Sequence, residues 1–161
     1  MNNIYTIEQT QNITSRNPGA KIVLVGGCFD LIHIGHIQFL SLAKQQGDIL
    51  IVILESDSSV KKKKGVNRPI NAQRDRALLL SELRSVDYVL LLPEETSDKT
   101  YIEVTKLLKP AIIAITSGDP HLAQKKNAAE KVGAQIIEVT PLINDQSTSR
   151  LARLLEKEKS L

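Results

Sequence analysis

Five short stretches of this chain are almost unbrokenly apolar, at 22–25, 49–54, 86–92, 111–115 and 135–139, with helix-like sequence between them. A strand with one face in water alternates apolar and polar residues, because successive side chains point to opposite faces. A strand that is apolar throughout must be covered on both faces, as in a parallel sheet sandwiched between helices. The intervening stretches supply those helices, expected at 36–46, 71–84, 99–108 and 120–132, with a last one at 147–158. In the second of them Ala77, Leu78, Leu80 and Leu83 recur at helical spacing, and Asn71 is placed to cap its start. In the last, Ser147 can cap a helix whose apolar residues are Leu151, Leu154 and Leu155. Such alternation gives right-handed crossovers and helices on both sides of the sheet.

The expected architecture is α/β: a Rossmann-like, three-layer α/β/α domain around a five-stranded parallel sheet. It runs over residues 21–158. Residues 1–20 are polar, carry the turn signal Asn17-Pro18-Gly19, and read as a lead-in with room for one short helix. No repeat or low-complexity linker divides the chain, and 161 residues suit a single domain with a real core.

Composition narrows the function classes. Apolar residues at 42% and charged residues at 24% are those of an ordinary soluble globular protein. A net charge of +3 makes no case for coating nucleic acid, although Lys61, Lys62, Lys63 and Lys64 concentrate positive charge locally. The single cysteine excludes an intrachain disulfide and a multi-cysteine zinc site, and suits a reducing compartment. No apolar run approaches the roughly 18 residues of a membrane span. The first residues lack a basic start followed by an apolar core, so the expected location is the cytoplasm.

In sheets of this type ligands sit beyond the carboxyl ends of the strands, where strand order reverses. Four unusual segments fall at such ends and should face one crevice. The most telling is Gly26-Gly27-Cys28-Phe29-Asp30-Leu31-Ile32-His33-Ile34-Gly35-His36, which follows the first expected strand. Two histidines spaced i, i+3 across a strand-to-helix turn can point at one small volume. The two glycines carry no Cβ and let a ligand approach the backbone, and the helix start offers free N–H groups to an anion. The others are Glu55-Ser56-Asp57 with the lysine run, Thr116-Ser117-Gly118-Asp119, and the loop from Asn144 into Ser147-Thr148-Ser149-Arg150.

These parts suit a triphosphate, which calls for backbone donors, cationic side chains and usually Mg²⁺. His33 and His36 can supply donors where negative charge develops in attack at phosphorus. Cys28 has no activating partner beyond those histidines and reads as a small residue in the turn, while Asp30 reads as a holder of the loop. The lysine run, leading on to Arg68, Arg74 and Arg76, reads as a mobile basic loop closing over phosphates, with Lys61 or Lys64 making the contact. Ser147, Thr148 and Ser149 open the last helix, where hydroxyls and N–H groups can bind phosphate oxygens. Gly118 and Asp119 form a turn that can touch the nucleotide, and His121 reads as exposed. Neither Gly-Lys-Ser/Thr nor G-x-G-x-x-G after a strand is present, which disfavours a P-loop kinase or NAD enzyme.

The chain resembles the cytidylyltransferase-like nucleotidyltransferases. Their Gly-x-Phe-Asp-x-x-His-x-Gly-His signature stands here at Gly27 through His36, and their Ser-Thr phosphate motif at Ser147, Thr148 and Ser149. The resemblance implies direct attack of an acceptor phosphate on the α-phosphate of a nucleotide, with pyrophosphate leaving and no covalent enzyme intermediate. It implies that His33 and His36 contact the triphosphate, and with Lys64 of the basic run they make up the expected catalytic set. The nucleotide-binding residues expected from the motifs and loops together are Gly26, Gly27, Cys28, Phe29, Asp30, Gly35, Arg68, Arg76, Gly118, Asp119, Ser147, Thr148 and Ser149. Mg²⁺ arrives with the triphosphate, no metal is held by the protein alone, and relatives are often homodimers. The stretch from Ser56 through Lys64, Arg68 and Arg76 to Val89 resembles the adenylyltransferase portion of ADP-heptose synthases, which favours ATP over CTP and a sugar phosphate as acceptor. Glycerol-3-phosphate and phosphoethanolamine cytidylyltransferases and FAD synthases share the frame. So would a nucleotide-binding module without turnover. The segment Ile115-Thr116-Ser117-Gly118-Asp119-Pro120 departs from the heptose enzymes, which usually have a lysine and a second glycine before that aspartate.

Overall fold

A computed structural model describes residues 3–140 of the chain. The expected helix at 147–158 lies outside these residues, and so do Ser147, Thr148 and Ser149. Within them six strands, not five, form one parallel sheet: β1 (Ile4–Thr6), β2 (Ile22–Gly27), β3 (Ile49–Leu54), β4 (Tyr88–Leu91), β5 (Ile112–Thr116) and β6 (Gln135–Thr140), in the order β1-β4-β3-β2-β5-β6. The extra strand comes from the stretch expected as a lead-in. Ile4, Tyr5 and Thr6 pair with Val89, Leu90 and Leu91 at the sheet edge, and helix α1 (Thr10–Arg16) buries Ile13 completely. Three residues of mixed polarity leave no apolar run to read.

Handedness distributes the helices. α2 (Ile34–Lys44) and the pair α3 (Asp57–Lys64) and α4 (Gln73–Ser81) carry the chain from β2 to β3 to β4, toward one edge. α1, α5 (Asp98–Leu108) and α6 (Leu122–Val132) carry it the other way. Right-handed crossovers running in opposite directions lie on opposite faces. The core divides accordingly. Ile22, Leu24, Ile51 and Ile53 pack with Ile13, Val104, Leu108 and Ala128 on one face. Val23, Val25, Leu50 and Val52 pack with Phe39, Leu40, Ala77 and Leu80 on the other. The result is a Rossmann-like α/β/α domain. Among the described residues no helix is long and apolar enough to cross a membrane.

Strand order reverses between β2 and β5, and there the sheet opens. β2 pairs with β3 through Gly27–Leu54, but with β5 only at Val23–Ile112 and Leu24–Ile113. Beyond Leu24 the two strands part. The carboxyl end of β2, with its two glycines, therefore borders the crevice in which such sheets bind ligands.

Candidate active site

Gly26 and Gly27 face opposite sides of the sheet, as successive strand residues must. A Cβ on Gly26 would lie 3.3 Å from Tyr101 Cε2, and one on Gly27 would lie 3.0 Å from Phe29 Cε2. The space expected for a ligand is thus largely filled by two of the chain's own rings, one on each face. Phe29 holds a φ of +42°, a left-handed conformation rare for a bulky residue, while its ring stays buried. Packing over-determines that strained turn, which is the condition under which strain persists at functional sites.

The turn delivers the histidines. Phe29 and His36 have ring centroids 5.1 Å apart, and His33 and His36 stack at 3.8 Å with 28° between planes. His33 is the N-cap of α2, its Nδ1 accepting from the Gly35 N–H at 3.2 Å. A neutral ring that accepts at Nδ1 carries its proton on Nε2, so His33 keeps a donor at that nitrogen. The same bond occupies the Gly35 N–H, which is then not free for a phosphate. His36 Nδ1 is buried without a partner among the described residues.

Burial, then the charges of His33 and Lys64, push His36 from 6.5 down to about 3, against an upward pull from the Leu31 backbone. Burial also lowers His33. The folded chain therefore keeps His36 neutral where the unfolded chain protonates it, so stability is full above pH 6.5 and falls as the pH drops from there toward 3. By pH 5 this group should cost about 2 kcal/mol. Urea titrations at pH 7 and pH 5 should show the wild type losing about that much more than His36→Gln, whose amide does not titrate. Equal losses would place the titration elsewhere.

Asp30 ties the histidine loop to residues 65–72. Fully buried, it accepts from Arg68 Nε at 2.6 Å and from the backbone N–H groups of Ile70 and Asn71 at 2.9 Å. Burial would raise its pKa, but the Asn71, Ile70 and Arg68 bonds together hold it below the ordinary carboxylate range. The Asn71 side chain donates to the Asp30 carbonyl, and Ala72 rather than Asn71 is the N-cap of α4. Arg68 keeps a buried Nη2 without a partner among the described residues. Arg76, in contrast, is fully buried and engaged. Its guanidinium donates to the carbonyls of Cys28, Glu55 and Asn71 and to Asp57 Oδ1. Arg76, expected to contact the nucleotide, has its fork occupied by the protein's own acceptors.

The lysine run is not a loop. Ser56 caps α3 through the Ser59 N–H, Val60 anchors it in the core, and all four lysines form its last turn. Cations there are favoured by the helix dipole. Lys64 is exposed yet close enough to His36 to depress its pKa, whereas Lys63 pairs with Glu55 at 3.0 Å. After β5, Gly118 turns with φ +68°, and Asp119 accepts from the His121 N–H and from Lys125 Nζ at 2.7 Å.

Between β2, β3, α5 and α6 lies a cavity of about 160 Å³, walled by Glu55, Ser59, Lys63, Tyr101, Gln124 and Lys125 among others. It borders Gly26 and Gly27, so it shares the end of β2 with the histidine turn. His121, expected to be exposed, is half-buried and also lines it. Sequence reasoning missed Tyr101 and Lys125. Lys125 was traceable: it precedes Ala128 and Ala129 by three and four residues, on the inward face of α6.

The cytidylyltransferase-like family model matches residues 24–135. The bifunctional protein HldE of Aliarcobacter butzleri (strain RM4018) is 40% identical over 159 residues, which is 97% of this chain and 32% of that protein. The chain spans less than a third of the length of the curated relatives it matches. Among solved structures, the lipopolysaccharide core biosynthesis protein from Thermoplasma volcanium GSS1 is 32% identical with a TM-score of 0.60, over 77% of this chain and 97% of that one. The pantoate-beta-alanine ligase from Francisella tularensis has a TM-score of 0.70 at 16% identity, over 95% of this chain and 73% of that one, a likeness of fold alone.

Proposed function

The chain belongs to the cytidylyltransferase-like family of nucleotidyltransferases, and we propose that it transfers an adenylyl group from ATP to the phosphate of a sugar-phosphate acceptor. The observation that carries this reading is the stacked pair His33–His36, set by a strained turn at the end of β2 where strand order reverses. Such a pair stabilises charge at phosphorus. In the resting protein His36 is neutral, held so by burial and by the neighbouring Lys64 cation. A polyanion beside it favours the protonated form, so the pair's donor strength rises as phosphate arrives. The acceptor phosphate attacks the α-phosphorus, the bond to the bridging oxygen breaks, and pyrophosphate leaves. His33 and His36 donate to the phosphate oxygens that gain charge, and Lys64 adds a cation at the mouth.

The choice of ATP and of a sugar phosphate rests on the likeness of residues 56–89 to the adenylyltransferase portion of ADP-heptose synthases. Among the described residues no three His, Cys, Asp or Glu side chains are grouped to hold a metal ion, and Asp30 is saturated by N–H donors. Mg²⁺ carried in by the triphosphate would be held by phosphate oxygens and water and would neutralise phosphate charge.

Pyrophosphate release, measured with each nucleoside triphosphate against a panel of phosphorylated acceptors in Mg²⁺, tests the reading. ATP with a sugar 1-phosphate should be the fastest pair. A folded sample that turns over no pair overturns nucleotidyl transfer, and CTP with a polyol or amino-alcohol phosphate as the fastest pair overturns the substrate choice.

A further inference from the structure

Tyr101 has a polar group for which the fold supplies no use. Its side chain is 6% exposed, and its hydroxyl is buried without a hydrogen-bond partner among the described residues. Buried polar groups are nearly always paired, because an unmade bond in the interior is unfavourable. Packing alone would be served by phenylalanine, since the ring already fills the space beside Gly26. Tyr101 also lines the cavity that shares the end of β2 with the histidine turn. The ligand should therefore supply the missing partner.

The cavity walls indicate which part of a ligand that is. Its cations are already neutralised: Lys63 by Glu55 at 3.0 Å and Lys125 by Asp119 at 2.7 Å. Gln124 is held by Asp98 at 2.7 Å. Beside the His121 imidazole, the walls offer hydroxyl, amide and carboxylate groups, which read neutral hydroxyls better than a second phosphate. The anionic end of an acceptor belongs toward His33 and His36, and its hydroxylated body in the cavity.

We infer that the Tyr101 hydroxyl is a specificity-determining group that donates to a hydroxyl oxygen of the acceptor, reading the polyol body while the histidine turn handles the phosphates. This rests on the nucleotidyl-transfer reading above. Burial, then the negative charge of Asp119, raises the Tyr101 pKa far above neutrality and keeps the phenol a donor. The ring is positioned by Gly26, so Gly26→Ala should disturb the same contact from the opposite side.

The test is steady-state kinetics of Tyr101→Phe with ATP and the best sugar 1-phosphate, alongside ATP binding by thermal shift. The acceptor KM should rise about tenfold, with kcat within about twofold and the ATP-induced shift unchanged. Gly26→Ala should raise the acceptor KM as well. Among singly deoxygenated acceptors, one should react equally well with wild type and Tyr101→Phe. An unchanged acceptor KM in Tyr101→Phe overturns the inference and leaves nucleotidyl transfer standing. Loss of the ATP shift in that variant places Tyr101 in the nucleotide site and also overturns it. No turnover by the wild type removes the functional reading and this inference together.

Discussion

Replacing His36 by alanine should lower kcat about 10²–10³-fold while leaving nucleotide affinity within about threefold of wild type. The imbalance follows from where the ring stands. It is packed between Phe29 and His33 behind a strained turn, placed to meet charge as it develops rather than to grip a resting triphosphate. Pre-placed donors of this kind act mainly on the transition state. His33→Ala should lose a comparable rate and also about 1 kcal/mol of stability, since its Nδ1 caps α2 through the Gly35 N–H. Because the rings stack at 3.8 Å, the double variant should be little worse in kcat than either single one. Pyrophosphate-release kinetics on the three variants, with thermal unfolding at pH 7, separate the two effects. Multiplicative losses in kcat would show that the histidines act independently.

Two segments converge on that turn, each held by a buried charge. Asp30 gathers the loop before α4, and Arg76 gathers the ends of β2 and β3. The cavity and the histidine pair meet only at the carboxyl end of β2, where β5 has already separated. On the reading proposed above, chemistry and acceptor recognition are divided at the end of one strand. Gly26 and Gly27 mark the division, each admitting a different ring.

That division was only half legible in the sequence. The central strands could be read because burial on both faces writes itself as an apolar run, and the histidine turn because its residues are contiguous. β1 escaped because three residues at an edge need no apolar run, only a neighbour to pair with. α3 escaped because four consecutive lysines look like a solvated loop. Its one buried anchor, Val60, and its Ser56 cap are separate weak signals. Arg76 was harder still. It shares the inward face of α4 with Ala77 and Leu80, but an arginine on such a face is normally taken to reach out to solvent or ligand. Only the three carbonyls waiting for it, contributed by segments far apart in the chain, make it a buried strut.

The same geometry sets the largest expected loss of stability. Arg76→Leu should destabilise the fold by about 3–5 kcal/mol, a large share of the roughly 5–15 kcal/mol that holds a domain together. Leucine suits the helix and fills part of the volume, so neither propensity nor a cavity is the main cost. The cost lies in what remains behind: the carbonyls of Cys28, Glu55 and Asn71 lose a shared donor, and Asp57 loses its cation. Arg76→Lys should lose about half as much, because one ammonium cannot reproduce a planar fork that reaches four acceptors. Urea unfolding at pH 7 should rank wild type, Arg76→Lys and Arg76→Leu in that order, with turnover falling in step as the histidine turn loosens. Were Arg76→Leu to lose less than about 1 kcal/mol, the loops would have to be held by Asp30 and the core alone. A variant of native stability with impaired nucleotide binding would instead return Arg76 to the ligand-contacting role first read from its position.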